Sequence, residues 1–329
     1  MKVMSTFLKA TVVPLILATG SAKAADTTLL LGHTGPTNSV FQESAQHFAD
    51  TLATLSNNTM AVDIVGGGSL GGIPEHWAQL QAGDLDLHLF ELVGVSFMRE
   101  AADFSVLFAP YLFRDQDHLH RFVASPLFDT MMSNVEDLTG IHYVGYVGDR
   151  FPRAVSTRNT EVTRPEDLSG LRVRVAMHPA IVATYEAFGA VPTPLPSSEL
   201  LIALRTGTVD GQDQGLVDYL DAGYDAASPY YSPINTVYAG MGLWMSGQRW
   251  SSLTEEQQSW VTAAAQSASD QMNAAADARM AQALQLAEER GVHIATPDIA
   301  LFQAAVAPVI ERLDGTLWRA GLYAEIQGL

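Results

Sequence analysis

Short apolar runs alternate with stretches of helical spacing along this chain, and that alternation limits the fold more than any other feature. Thr28-Leu29-Leu30-Leu31-Gly32-His33 reads as a strand closing on a glycine, and apolar residues then recur at helical spacing from Phe41 to Leu55. Val62-Asp63-Ile64-Val65 is a second strand, glycines 66 to 68 open a loop, and Pro74 to Ala82 reads as a helix that Gly83 can stop. Asp86-Leu87-His88-Leu89-Phe90 is a third strand. Strands that take turns with helices build a layered α/β domain with a largely parallel sheet, and such sheets bind ligands beyond the carboxyl ends of their strands. Phe90, Glu91 and the loop after His33 are therefore expected at a cleft.

A second α/β set is read from Ile141-His142-Tyr143-Val144-Gly145-Tyr146-Val147. It continues through the strand Leu171-Arg172-Val173-Arg174-Val175 and the helix Ser198 to Thr206, up to Val209-Asp210-Gly211. Farther on, Thr254-Glu255-Glu256-Gln257 has the form of a capping box, and a stretch rich in Ala, Gln and Glu runs without Pro or Gly to Gly291. A helix of about 36 residues would reach roughly 54 Å, more than the width of one lobe. Its apolar positions Trp260, Val261, Met272, Met280, Leu284 and Leu286 keep no heptad repeat. A helix laid across two lobes is expected rather than a coiled coil.

The first 24 residues set the compartment. Lys2 and Lys9 precede the apolar run from Ala10 to Ala18, and Ala22-Lys23-Ala24 supplies the small-x-small pattern of a cleavage site. This is read as a removable signal peptide, its apolar run being shorter than the roughly 20 residues of a spanning helix. The sequence has no Cys, so lipoprotein anchors, disulfides and thiolate metal sites do not enter the expectation. Against 36 Asp and Glu stand 18 Lys and Arg, and all three lysines lie in the leader, leaving 15 arginines and a formal charge of −21 on the mature chain. Such a charge repels DNA, RNA and anionic lipid headgroups, so nucleic-acid and membrane-surface binding are not expected. An anionic ligand would need local arginines to hold it against the overall field. About 305 residues suit two lobes rather than one small domain.

No catalytic constellation stands out: the chain has no Gly-x-Ser-x-Gly elbow, no Walker-type loop and no His-Glu-x-x-His helix. His118-x-His120 is read as a pair of solvated loop residues rather than a metal site, and Gly66-Gly67-Gly68 as a flexible loop without the dinucleotide spacing. Trp77, Tyr238 and Trp244 are assigned to packing, and Asp210 to shaping a turn. Arg172 and Arg174, by contrast, share one face of an apolar strand by the two-residue period. A guanidinium facing a crevice presents two parallel donors that match a carboxylate, while the alternative is an ion pair with an Asp or Glu. From spacing alone the two readings stay open. His178, four residues after Arg174, is left unassigned.

Pro165-Glu166-Asp167-Leu168-Ser169-Gly170-Leu171-Arg172-Val173-Arg174-Val175 resembles the signature of the solute-binding subunits of TRAP transporters, the DctP-like family. The resemblance extends through Gly189 to Pro194, Ser198-Glu199-Leu200 and Ala203 to Gln212, and includes Ser69-Leu70-Gly71-Gly72, Gly83-Asp84-Leu85-Asp86 and Trp250 to Gln257. It covers essentially the whole mature chain.

The resemblance implies an α/β, two-lobed periplasmic binding protein with a hinge and a long helix bracing both lobes. Lobe I would comprise residues 25–148 plus about 239–275, and lobe II residues 149–238 plus about 276–329. Arg174 corresponds to the family arginine that grips the ligand carboxylate, and Arg172 to an exposed lysine position. A second family arginine falls at Arg153, with Arg150 as the alternative. The family's Glu and Asn fall at Asp213 and Gln214, where this chain departs from the pattern, and its acidic residue after the third strand matches Glu91, beside Phe90. The implied protein is a periplasmic monomer, not an enzyme, with no cofactor and no metal. Its ligand is a small organic acid, with C4-dicarboxylates, sugar acids and keto acids all open, and its partners are membrane permease subunits. A ligand-presenting subunit for a sensor and an extracytoplasmic enzyme on the same acids are the rival readings.

Overall fold

The computed structural model describes residues 25–329, so the leader reading of residues 1–24 lies outside the described residues. The strands in chain order are β1 (Thr27–Gly32), β2 (Met60–Val65), β3 (Leu87–Glu91), β4 (Ile141–Arg150), β5 (Ala154–Thr157), β6 (Arg172–Val175), β7 (Val191–Pro194), β8 (Gly211–Gln214), β9 (Tyr230–Ser232), β10 (Ala239–Ser246) and β11 (His293–Ile294). They form two sheets, of order β2-β1-β3-β10-β4 and β11-β9-β5-β8-β6-β7.

The alternation at the start of the chain becomes the first sheet as expected. Leu29 and Leu31 point inward from β1, Leu87 and Leu89 from β3, and the helix Val40–Leu55 lays Phe41, Ala45, Phe48 and Leu52 against them. Burying each such leucine or phenylalanine contributes about 1.5–3 kcal/mol, so the inward stripe of this one helix outweighs its missing side-chain N-cap. The helix Ile73–Ala82 ends where Gly83 takes a left-handed conformation, φ +80°, that its lack of a Cβ permits.

One expectation is corrected. Ile141–Arg150 does not open the second α/β set. It is an edge strand of the first sheet, paired antiparallel with β10 from Ile141↔Ser246 to Arg150↔Ala239. The first sheet is otherwise largely parallel as expected, with β1, β2, β3 and β4 running one way, and β10 returns late in the chain and inserts between β3 and β4 antiparallel to both. Hydrophobic periodicity reports which face a strand buries and carries no information about its direction or neighbours.

The chain passes from the first sheet to the second between β4 and β5, and back between β9 and β10. These two crossovers are hydrogen-bonded to each other: Arg153 N donates to Val237 O at 2.9 Å and Thr236 N to Arg153 O at 3.0 Å. A third connection is the helix Glu255–Glu289, opened by the reciprocal Thr254–Gln257 capping box the sequence predicts. It packs Ala264, Ala265, Ala268 and Met272 onto the first body and pairs Arg279 with Glu43 of the helix Val40–Leu55. Just beyond its end, Arg290 donates to Leu220 O of the second body at 3.0 Å and pairs with Asp225 at 3.3 Å. One helix therefore braces both lobes. Among the described residues no helix is long and apolar enough to cross a membrane.

Candidate functional site

Where the first crossover leaves the first sheet, three arginines and three carboxylates converge. Glu91 stands at the carboxyl end of β3, Arg150 at the end of β4, and Arg153 in the crossover itself. Glu91 is reached by both arginines, at 3.2 Å from Arg150 Nη1 and 3.5 Å from Arg153 Nη2. Arg150 also donates to Asp218 at 2.8 Å, and Arg153 to Asp213 Oδ2 at 3.2 Å and to the Asp213 carbonyl at 3.0 Å. Each guanidinium lies over an aromatic ring: Arg150 is 4.6 Å from the centre of Phe41, and Arg153 is 5.2 Å from that of Phe108. The sequence reading chose Arg153 over Arg150, and the structure brings both together.

Arg174 enters the same cluster from the second sheet. Its Nε and Nη2 both donate to the carbonyl of Leu195, at 2.9 and 2.7 Å, which pins one edge of the guanidinium. Nη1 is buried without a hydrogen-bond partner and stands 3.9 Å from Asp213 Oδ1, itself buried and unpartnered. At that separation the two attract but do not hydrogen-bond. Asp213 is placed by β8, whose register is fixed by the pairing of Asp213 with Val155 of β5 and of Gln212 with Arg174 of β6. Burial pushes the Asp213 carboxyl above its usual range against the pull of Arg153 and Arg174. For Glu91 burial also pushes upward, but Arg153 and Arg150 together outweigh it and hold the carboxyl low. Arg172, although two residues from Arg174, is half-exposed and forked onto Asp210 at 2.8 and 2.9 Å. The ion-pair alternative therefore holds for Arg172, and Asp210, expected to shape a turn, is its partner and also accepts the Arg172 backbone N–H at 3.0 Å.

The remaining expected residues sit around this cluster. Phe90 is half-buried and stacked between Phe41 and His88, at 5.7 and 5.8 Å. Gln214 is half-buried at the end of β8 and makes no side-chain hydrogen bond to the described residues. His178 caps the helix Pro179–Ala187 and touches Ser105 Oγ at 3.3 Å, one of the contacts between the two bodies. Burial, with Arg153 second, pushes its pKa down to about 4. Trp77 and Trp244 pack edge to face, 5.0 Å apart, inside the first body. His118 and His120 are not solvated loop residues. Both lie on the helix Gln116–Val123, where His118 is buried against Ile326 O at 3.0 Å and His120 bonds Asp149 at 2.7 Å. Sequence reasoning missed Asp218, Phe41 and Phe108. Asp218 looks like any acid in an acidic chain, and the two phenylalanines carry the periodicity of core residues, so no local signal separates them.

Two α/β bodies joined by paired crossovers, with buried arginines gathered where the chain passes from one sheet to the other, have the architecture of a two-lobed binding protein. The chain belongs to the bacterial extracellular solute-binding protein family 7, DctP, whose pattern matches residues 31–315. A solute-binding protein of Roseobacter denitrificans is 26% identical, with 89% of each chain covered. The sialic acid-binding periplasmic protein SiaP of Vibrio cholerae is 25% identical over 95% of this chain and 97% of its own. Among solved structures, a TRAP periplasmic solute-binding protein of a Polaromonas species bound to D-erythronate superposes with a TM-score of 0.84. It is 24% identical, and the match covers 92% of this chain and 99% of that one.

Proposed function

We propose that this chain captures a small organic acid in the periplasm and hands it, chemically unchanged, to the membrane permease subunits of a TRAP-type transporter. The observation that carries the reading is the Arg174 guanidinium, pinned on one edge by Leu195 O and unpartnered at Nη1. A buried guanidinium held this way offers its free end to a carboxylate at no ordering cost. Sialic acid and D-erythronate, named for two of the similar proteins, are both carboxylic acids, which supports the same ligand chemistry.

In this reading Arg174 and Arg153 anchor the carboxylate, Asp213 and Gln214 lie beside it, and Glu91 and Phe90 border the remainder of the ligand. Residues 25–148 with about 239–275 form one lobe and 149–238 with about 276–329 the other. They close as a monomer about the paired crossovers at Arg153 and Val237, and closing expels water. Residues 1–24 are the cleaved leader that delivers the chain to the periplasm.

A thermal-shift screen of the mature protein against organic acids tests the proposal, since a ligand bound only by the folded state raises the unfolding midpoint. Acids that raise it in the wild type and not in Arg174→Ala support the reading. Shifts from neutral sugars alone, or acid shifts indifferent to Arg174, overturn it.

A further inference from the structure

We propose that Asp213 makes this site select hydroxylated monocarboxylates over dicarboxylates, by accepting a ligand hydroxyl at Oδ1 beside the carboxylate that Arg174 holds. The inference rests on the organic-acid reading above and goes on to name the class of acid.

Charge argues against a dianion. Arg150, Arg153 and Arg174 are already opposed by Glu91, Asp213 and Asp218, in direct or near contact. A monoanion adds one negative charge to a balanced cluster, and a dianion adds two. Each buried charge without a partner is unfavourable, and at short range in a medium of low dielectric two of them also repel each other. The arginines are not free to swing out and serve a second carboxylate. Arg150 and Arg153 are held over Phe41 and Phe108, and Arg174 is forked onto Leu195 O.

Hydrogen bonding points to the hydroxyl. Arg174 Nη1 is a buried donor without an acceptor, and Asp213 Oδ1, 3.9 Å away, is a buried acceptor without a donor. A ligand that satisfies both must offer an acceptor and a donor on neighbouring atoms. A carboxylate with a hydroxyl on the adjacent carbon does so, whereas succinate offers acceptors only. Asp213 is 1% exposed and Arg174 4%, so neither unmet group is left to bulk solvent, and buried polar groups normally find a partner. Asp213 also stands where the family pattern has Glu, one methylene longer.

Isothermal titration at pH 7 with erythronate, butyrate, succinate and 2-aminobutyrate, and with the six-carbon set gluconate, hexanoate and adipate, tests the proposal in the wild type and in Asp213→Asn. The hydroxy acid at one length or the other is expected to bind on the order of a hundredfold more tightly than its dicarboxylate and its unsubstituted acid. In Asp213→Asn, which removes one negative charge and keeps the shape, the preference over the dicarboxylate should shrink by about tenfold or more. A merely structural role, in which Asp213 only steadies Arg153, weakens every acid alike and leaves the ratio unchanged, and that result overturns the proposal. Equal wild-type affinity for dicarboxylate and hydroxy acid overturns it too, as does tighter binding of 2-aminobutyrate, which would make the donor an ammonium. Acids that bind without discrimination sink this inference alone. Binding of no acid at either length sinks the organic-acid reading beneath it.

Discussion

Arg150 and Arg153 straddle the first crossover between the two sheets, yet both guanidinium groups end on one carboxylate, Glu91, at 3.2 and 3.5 Å. Because Glu91 terminates a strand of the first sheet and Arg153 precedes the first residue of β5, this contact ties the crossover to the body it leaves. The carboxylate therefore serves the geometry of the site as well as its charge.

Glu91→Gln removes that charge and leaves two buried guanidiniums without it. Breaking a buried pair from one side typically costs about 3–5 kcal/mol. Since Asp218 and Asp213 still oppose the two arginines, a loss near about 3 kcal/mol is expected in urea denaturation at pH 7. A loss below about 0.5 kcal/mol would mean that Glu91 does not hold the crossover.

The two strand arginines should behave in opposite ways. Arg174→Ala deletes a buried donor set and is expected to weaken acid binding by at least about a hundredfold, read by titration, with the circular dichroism spectrum unchanged. Arg174→Lys keeps the charge but loses the fork onto Leu195 O, and should recover only part of that affinity. Arg172→Ala, whose side chain pairs with Asp210 in solvent, should leave both affinity and unfolding midpoint as in the wild type. Equal effects at the two positions would place the binding surface elsewhere.

This contrast also shows what the sequence could and could not convey. The strand around Arg174 was legible from its apolar alternation, but the same alternation grouped Arg172 with it. What separates them is the Asp210 partner 38 residues later and the Leu195 carbonyl 21 residues later, and neither is a local signal. The first three strands and their helices were legible to within a residue or two, because each buries its own periodic stripe. The place of β4 was not, because it is decided by pairing with β10, almost a hundred residues away. Glu91 was placed by its position at the end of the third strand, Arg153 came only through resemblance, and Phe41 and Phe108 were hidden by looking like core.

Gly148 links the edge strand to the bracing helix. It has φ +133°, which side chains rarely adopt, and a Cβ there would come within 2.7 Å of the Met272 Cβ. Gly148→Ala must therefore strain the backbone and push the helix Glu255–Glu289 off β4. A destabilisation of about 2–3 kcal/mol is expected from strain and overpacking together. Gly223→Ala, at φ +67° in the left-handed region with nothing within 4 Å of the added methyl, carries only the milder backbone cost of a left-handed alanine and should lose less. Comparable losses in both would remove the contact with Met272 from the argument.

The buried histidines make stability depend on pH in one direction. His88 is fully buried, with Nδ1 3.1 Å from His76 Nδ1 and from Gly32 O, and Trp77, Phe90 and Trp244 around its ring. Burial, reinforced by His76, pushes its pKa down to about 3. In the unfolded chain the same group takes up a proton near pH 6.5. Above that value neither state binds the proton, and the contribution is flat. Between 6.5 and about 3 the unfolded state gains a proton that the folded state refuses, so stability falls as pH falls. At pH 5 the shortfall from His88 is about 2 kcal/mol, and His178, held at about 4, acts in the same sense. Asp213, raised by burial, works the other way and softens the slope at lower pH. Urea denaturation of the wild type at pH 7 and pH 5 should show the loss, and His88→Phe, which fills the same aromatic stack without a titrating group, should reduce it. A wild type equally stable at both values would mean that the His76–His88 pair accepts a proton in place, and the ring stack would then have to open to admit it.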